Sequence, residues 1–315
     1  MLRIIFMGTP EFAVPTLEAL LDWSGCQVVA VVTAPDKPAG RGRQLAASAV
    51  KQAALAHDVP VLQPTNLKSP DFQAELKSYA ADLQVVVAFR MLPEAVWNMP
   101  RLGSINIHAS LLPQYRGAAP INWALIQGET QTGVTSFFLQ HEIDTGNLIF
   151  QDVVSIAEDD DFGSLYEKLK TTGANLALRT VQAIAAGIAP SLPQAHSSDL
   201  RSAPKIQKET GRLDFSQPAA ALVNLVRGLS PIPTAFTQLP DGRTIKVFRA
   251  AALPTIETQT APSGTWLSDG RTYLRVQTAA GQLDLLDIQL EGKKRMSVAE
   301  FLRGFNIIAL HAPTS

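Results

Sequence analysis

The segment Gly103-Ser-Ile-Asn106-Ile-His108-Ala-Ser110-Leu-Leu-Pro113 sets a carboxamide and an imidazole two residues apart. Along an extended strand, residues two apart share a face. Asn106 and His108 then point one way, and Ile105 and Ile107 the other. At the carboxyl end of a parallel strand, where open α/β sheets bind ligands, such a pair could donate to a carbonyl oxygen and move a proton. The plainer reading is a half-exposed strand with a wet polar face.

A second segment, Gln140-His141-Glu142-Ile143-Asp144-Thr145-Gly146, ends in a glycine turn. Its Asp144 could be a turn former. It could equally hold His108 in one orientation and support its charged form. His141 and Glu142, with His108 and Asp144, allow a metal site as a third reading. No pair among them has a specific ligand spacing, so no metal is expected.

Two more stretches carry charge. Arg116 follows the proline-bounded turn Leu112–Tyr115 and could face an anionic group. Lys37, Arg41 and Arg43 are interleaved with Gly40 and Gly42 after a valine-rich run. This is either a solvated loop or an arm that touches phosphate. A dinucleotide cofactor is not expected. The first turn reads Gly8-Thr9-Pro10-Glu11-Phe12-Ala13, which lacks the GxGxxG glycines, and Glu11 would repel a pyrophosphate.

The elements that must position these groups alternate. Apolar runs at 2–7, 27–33, 59–62 and 83–89 read as strands, separated by helical stretches at 12–21, 46–56 and 71–79. Runs that are apolar on both faces imply a parallel sheet covered on both sides, and the crossover rule makes it doubly wound and Rossmann-like. Strands at 104–109, 134–139 and 148–154 continue it. A helix over about 118–127 and a long one over about 162–186 accompany them, the latter with Asp159, Asp160 and Asp161 at its start.

A chain of 315 residues exceeds the usual size of one core, so two domains are expected. The Ala-, Pro- and Ser-rich stretch 190–205 reads as a linker. It divides a catalytic α/β domain, 1–189, from a domain over 206–315. In the latter, a helix at 218–228 and alternating stretches at 244–250, 273–278 and 283–289 suggest a small β-barrel. The first part holds 13 Lys and Arg against 18 Asp and Glu, the part from residue 190 onward 14 against 10, so the basic tail could meet a polyanion. One cysteine, Cys26, excludes an internal disulfide and suits a reducing compartment. Leu2–Met7 reads as a strand rather than a signal peptide, and the apolar run 176–192 is interrupted by Arg179, Gln182 and Pro190. A soluble, cytoplasmic protein is expected.

Taken together, these segments resemble the methionyl-tRNA formyltransferase family, over essentially the whole chain. FMGTPEFA at 6–13 is similar to the family's first strand and turn, SINIHASLLPQYRGAAPINWA at 104–124 to its folate-dependent signature, and HEIDTGNLI at 141–149 to its acidic loop. APKIQKETGRLDF, VRGLSPIPTAF and GKKRMSVAEFLRG are similar to segments of its tRNA-side domain and separate it from other formyl transferases. The resemblance implies that Asn106, His108 and Asp144 are a catalytic trio. It implies that Ser110, Leu111, Leu112 and Pro113 contact folate, and that Lys37, Arg41 and Arg43 lie on an arm approaching the tRNA acceptor end. It further implies an OB-like barrel for the last domain, 10-formyltetrahydrofolate as co-substrate with no tightly bound cofactor, and initiator methionyl-tRNA as partner. Nothing demands more than a monomer. The chain departs from the pattern at Phe89-Arg90-Met91, where Tyr-Gly-Leu is common and the pterin pocket is expected, and at Pro231-Ile232-Pro233, where Pro-Trp-Pro is common.

Rival readings are a formyltransferase for a small amine, a formyl-folate hydrolase, and a non-catalytic RNA-binding protein on the same scaffold. A small substrate has no need of the basic second domain. The intact Asn106, His108 and Asp144 argue against loss of catalysis.

Overall fold

The computed structural model describes residues 1–39, 44–195, 198–254 and 261–304. The chain forms two compact units. One comprises Met1–Pro120, Gln131–Ser155 and Tyr166–Ser202. The other comprises Ile121–Thr130, Ile156–Leu165 and Ala203–Ser315.

The first unit is built on a seven-stranded sheet: β1 (Leu2–Gly8), β2 (Cys26–Val32), β3 (Val61–Leu62), β4 (Leu83–Val87), β5 (Ser104–His108), β6 (Gln131–Phe138) and β7 (Leu148–Ser155). Their spatial order is β7-β6-β5-β4-β1-β2-β3. Strands β1 to β5 pair in parallel, and their order reverses at β1, which creates a crevice beyond the carboxyl ends of β1 and β4. The Val, Ile and Leu of β1, β2 and β4 are almost wholly buried, as a sheet covered on both faces requires. Helices α1 (Val14–Asp22), α2 (Ala49–Ala56), α3 (Pro70–Ser78) and α4 (Glu94–Trp97) supply the cover. Phe72 and Leu76 of α3 and Val96 of α4 pack in one cluster with Ile5, Met7, Val32 and Val86.

The sheet is not parallel throughout. β6 runs antiparallel to β5, and β7 antiparallel to β6. For β7 the reason lies in its connection: residues 139–147 between β6 and β7 hold no crossover helix, and a parallel return needs one. β4 also stops at Val87, two residues before the sequence suggests, because Ala88 turns to φ +47°.

α5 (Pro120–Ile126) follows β5, and α6 (Phe162–Ala185) follows β7. Asp161 accepts from Ser164 N at 2.9 Å, so the acidic start expected for α6 serves as its amino-terminal cap. Farther along, Gly173 lies against Ile107 and Val134, and Thr180 Oγ1 donates to Ser136 Oγ or accepts from it at 2.8 Å. α6 therefore covers the Ile107 face of the sheet. Among the described residues no helix is long and apolar enough to cross a membrane.

The second unit carries α7 (Ala219–Leu229), then β8 (Ala235–Gln238), β9 (Thr244–Leu253), β10 (Trp266–Ser268), β11 (Leu274–Gln277), β12 (Gln282–Leu290), β13 (Met296–Ser297) and α8 (Val298–Gly304). The strands are antiparallel in the order β8-β9-β12-β11-β10, with β13 on β12. Leu222, Val226 and Leu229 of α7 bury against Ile245, Val247, Val276, Leu283 and Ile288. In the first half of β9, Ile245 and Val247 are buried around an exposed Lys246, as for a strand with one apolar face, and the alternation breaks where the register shifts near Arg249.

Candidate active site

β5 carries the pair expected from its alternation. Ile105 and Ile107 are buried, with Ile107 toward α6, so Asn106 and His108 take the opposite face. Asn106 stands between Val86 of β4 and Phe137 of β6, half-buried. Its carboxamide makes no hydrogen bond among the described residues. A donor held on a rigid strand with its N–H groups unspent is ready for a ligand oxygen.

His108 is 6% exposed. Its Nε2 lies 2.9 Å from the Tyr115 carbonyl oxygen. A carbonyl can only accept, so Nε2 carries the hydrogen. Nδ1 is left to face Asp144, whose Oδ2 stands 3.8 Å away. Tyr115 itself is buried and left-handed, at φ +59°, and its N–H donates to Arg201 O at 2.7 Å.

Asp144 sits at φ +56° in the loop between β6 and β7. The loop folds tightly: a Cβ on Gly146 would stand 1.6 Å from Phe138 O, so only glycine fits there. Asp144 Oδ2 accepts from Gly117 N at 2.9 Å, which holds the carboxylate toward the imidazole. Behind the loop, Gln194 Nε2 donates to Asp144 O at 2.8 Å and to Gly146 O at 2.9 Å. Gln194 Oε1 accepts from Arg116 Nε and Nη2 at 3.1 and 2.5 Å. Two of the five Arg116 N–H groups are thus committed to an amide oxygen. Within the stretch that reads as a linker, Leu192 exchanges two backbone hydrogen bonds with Leu148, and Gln194 is buried.

The expected folate tetrad is held from β6. Thr135 Oγ1 donates to Ser110 O at 2.6 Å and accepts from Leu112 N at 3.1 Å and Gln151 Nε2 at 2.9 Å. Gln151 Nε2 also donates to Leu112 O at 2.9 Å. Ser110 is fully buried, and its hydroxyl donates to Gln114 O at 2.7 Å. Leu112 is buried as well, while Leu111 and Pro113 are partly exposed. Any ligand surface offered here is therefore mostly hydrocarbon and backbone.

Arg90 follows β4. It donates from Nη1 to Thr65 O at 3.0 Å and from Nη2 to Pro64 O, and its guanidinium lies 5.8 Å from the Phe89 ring centre. It thereby joins the carboxyl ends of β3 and β4 at the crevice. Met91 is exposed.

Lys37 is exposed on Lys37–Ala39, which pairs antiparallel with Gln44–Ala46. Arg41 and Arg43 lie outside the described residues. Next to this arm, Lys51 Nζ meets Asp36 at 2.6 Å and Gln63 Nε2 meets it at 2.8 Å. The Lys51 bond and then the Gln63 bond hold the Asp36 carboxyl below its usual value.

The four residues of the metal reading do not converge. His141 Nδ1 stands 4.0 Å from Glu94 on the surface, and among the described residues no three His, Cys, Asp or Glu side chains are grouped to hold an ion. Tyr115, Thr135, Gln151 and Gln194 escape a sequence reading. Their contributions are a backbone carbonyl, a hydroxyl inside a strand, an edge-strand amide and an amide some fifty residues away, and none forms a motif.

Residues 2–181 match the formyl transferase family, and residues 205–306 match the family's C-terminal domain. The chain is 51% identical to the methionyl-tRNA formyltransferase of Bacteroides fragilis over 97% of its length and 96% of that protein. It is 47% identical to that of Flavobacterium johnsoniae, over 96% of each chain. Among solved structures, the sugar 3N-formyl transferase WlaRD with dTDP and 5-N-formyl-THF superposes with a TM-score of 0.65 at 17% identity, covering 93% of this chain and 99% of that one. HypX from Aquifex aeolicus in complex with tetrahydrofolic acid gives 0.59 at 19% identity, over 95% of this chain and 46% of that one. At such identities the structures speak for the fold alone.

Proposed function

The chain belongs to the methionyl-tRNA formyltransferase family, and we propose that it carries out that transfer with Asn106, His108 and Asp144: formyl from 10-formyltetrahydrofolate to the amino group of initiator methionyl-tRNA. One observation carries the assignment of roles. His108 has one nitrogen locked on a carbonyl and the other turned to a carboxylate, beside an unspent carboxamide on the same strand face.

The neutral methionyl amine attacks the formyl carbon, and negative charge gathers on the formyl oxygen. Asn106 donates an N–H to it. Protonated His108 donates a second from Nδ1, because Nε2 is committed to Tyr115 O. At 3.8 Å, Asp144 attracts the imidazolium without consuming that N–H. Preorganised donors of this kind are worth about 10²–10³-fold each. The amine must then lose a proton and the folate nitrogen must gain one as the carbon–nitrogen bond breaks. His108, directly or through a water, gives its Nδ1 proton to the folate nitrogen and is reprotonated by the amine. The products are formyl-methionyl-tRNA and tetrahydrofolate.

Ser110, Leu111, Leu112 and Pro113 form the wall on which the folate rests. Lys37, Arg41 and Arg43 form the arm that meets the acceptor phosphates. The proposed division is a catalytic domain over 1–189 and a tRNA-binding β-barrel domain over 206–315, with Leu192 and Gln194 of the intervening 190–205 packed onto the first unit. All three catalytic groups come from one chain, so a monomer suffices, working in the cytoplasm where translation starts.

The test is label transfer. Protein, formyl-labelled folate and charged initiator or elongator tRNA are mixed, and label is followed into tRNA and formate. The reading requires label on the initiator species. Formate release without tRNA, or transfer to a small amine in its place, would overturn it.

A further inference from the structure

We infer that Gln194 is a positioning residue for the transfer, acting through Asp144. The inference rests on the role given to Asp144 above. Gln194 is 7% exposed, and its amide makes four hydrogen bonds. Arg116 can only donate, and the carbonyls of Asp144 and Gly146 can only accept. A single amide orientation satisfies all four, so Arg116 fixes which way the Gln194 N–H groups point. Those N–H groups grip the loop on both sides of Thr145.

The grip has a reason. Asp144 is left-handed, a conformation that a residue with a side chain holds only where its surroundings enforce it. Its Oδ2 must nevertheless stay between Gly117 N and His108 Nδ1. Gly117 holds the carboxylate end, and Gln194 holds the backbone end. The loop between β6 and β7 contains no helix or strand of its own to do this. A shift of the loop by an ångström would move the carboxylate away from the imidazole and leave substrate contacts on β5 untouched.

Two variants separate this role from simple tethering. Gln194→Met keeps the volume and removes every hydrogen bond. Gln194→Glu keeps an acceptor for Arg116 and sets a carboxylate oxygen against two carbonyls. Both are expected to lower single-turnover formyl transfer about 10- to 100-fold, with KM for folate and for tRNA within about twofold. In an Asp144→Asn background, either change should cost less than about twofold more, since the group it positions is already disabled.

Near-wild-type turnover in Gln194→Glu would show that the Arg116 contact alone matters and would overturn the inference. Losses that multiply fully in the double variant would do the same, because a purely structural contact acts independently of Asp144. If Gln194→Met does not fold, Gln194→Glu decides by the same numbers. Asp144→Asn alone distinguishes the two levels. Wild-type turnover there sinks the role of Asp144 and this inference together. Impaired Asp144→Asn with normal Gln194 variants sinks only this one.

Discussion

His108 Nδ1 and Asp144 Oδ2 stand 3.8 Å apart, near enough for charge attraction and too far for a hydrogen bond. Two other contacts set that gap. The Tyr115 carbonyl holds the ring at Nε2, and Gly117 N holds the carboxylate at Oδ2. The imidazole is thus oriented by one partner and turned toward another, with Nδ1 making no hydrogen bond among the described residues.

Asn106→Ala, His108→Ala and Asp144→Asn should each depress turnover far more than tRNA affinity. Asn106→Ala removes one donor and should cost about 10²–10³-fold in single-turnover rate. Filter binding of tRNA to the folded variants gives the comparison. Near-wild-type rates in two of the three would end the assignment of the trio.

Thr135→Val keeps the shape of a buried strand residue and removes the hydroxyl that joins Ser110, Leu112 and Gln151. Leu112 N and Gln151 Nε2 then lose an acceptor inside the protein. The expected cost is about 2 kcal/mol in urea unfolding, together with a raised KM for folate. Unaltered stability would mean that the hydroxyl is not what organises the turn.

Neutralising Arg41 and Arg43 should weaken tRNA binding and flatten its dependence on salt. Each phosphate contact removed lowers the log–log slope by about 1. An unchanged slope would dismiss the arm as a phosphate contact.

Asp82 accepts from Arg3 N at 2.9 Å and Arg101 Nε at 2.7 Å. The Arg3 backbone bond is the main reason its carboxyl is held below the usual value. A lowered folded value makes the contribution complete above the unfolded value of about 3.9 and removes it as pH falls through the folded value. Asp82→Asn should therefore cost about 1 kcal/mol at pH 7, and less in acid. Urea midpoints of both proteins at pH 7 and pH 3 measure this. A gap that widens at low pH would refute the sign.

The parallel strands and the β5 pair are readable from sequence because both follow from periodicity: Ile105 and Ile107 bracket Asn106, and β1, β2 and β4 are continuous apolar runs. The resemblance to the family then supplied Asp144, whose acidic turn is ambiguous by itself. Strand direction was not readable at β6, since an alternating pattern is the same read either way. Nor was Gln194 visible. An amide among Ala, Pro and Ser residues looks like linker chemistry until the chain is seen lying along β7 through Leu192 and Leu148. Thr135 failed for a similar reason, because a threonine in a strand is ordinary by composition and informative only by its contacts.

The acceptor that fixes the His108 tautomer belongs to the main chain. Every codon at position 115 encodes a carbonyl, so side-chain scanning there will report on the phenol and pass over the atom that meets the ring. Selection can disturb that contact only by bending the peptide, and the left-handed turn at Tyr115 is the place where a change of amino acid would register: glycine or asparagine would sit easily in it, and a β-branched residue would push the oxygen away.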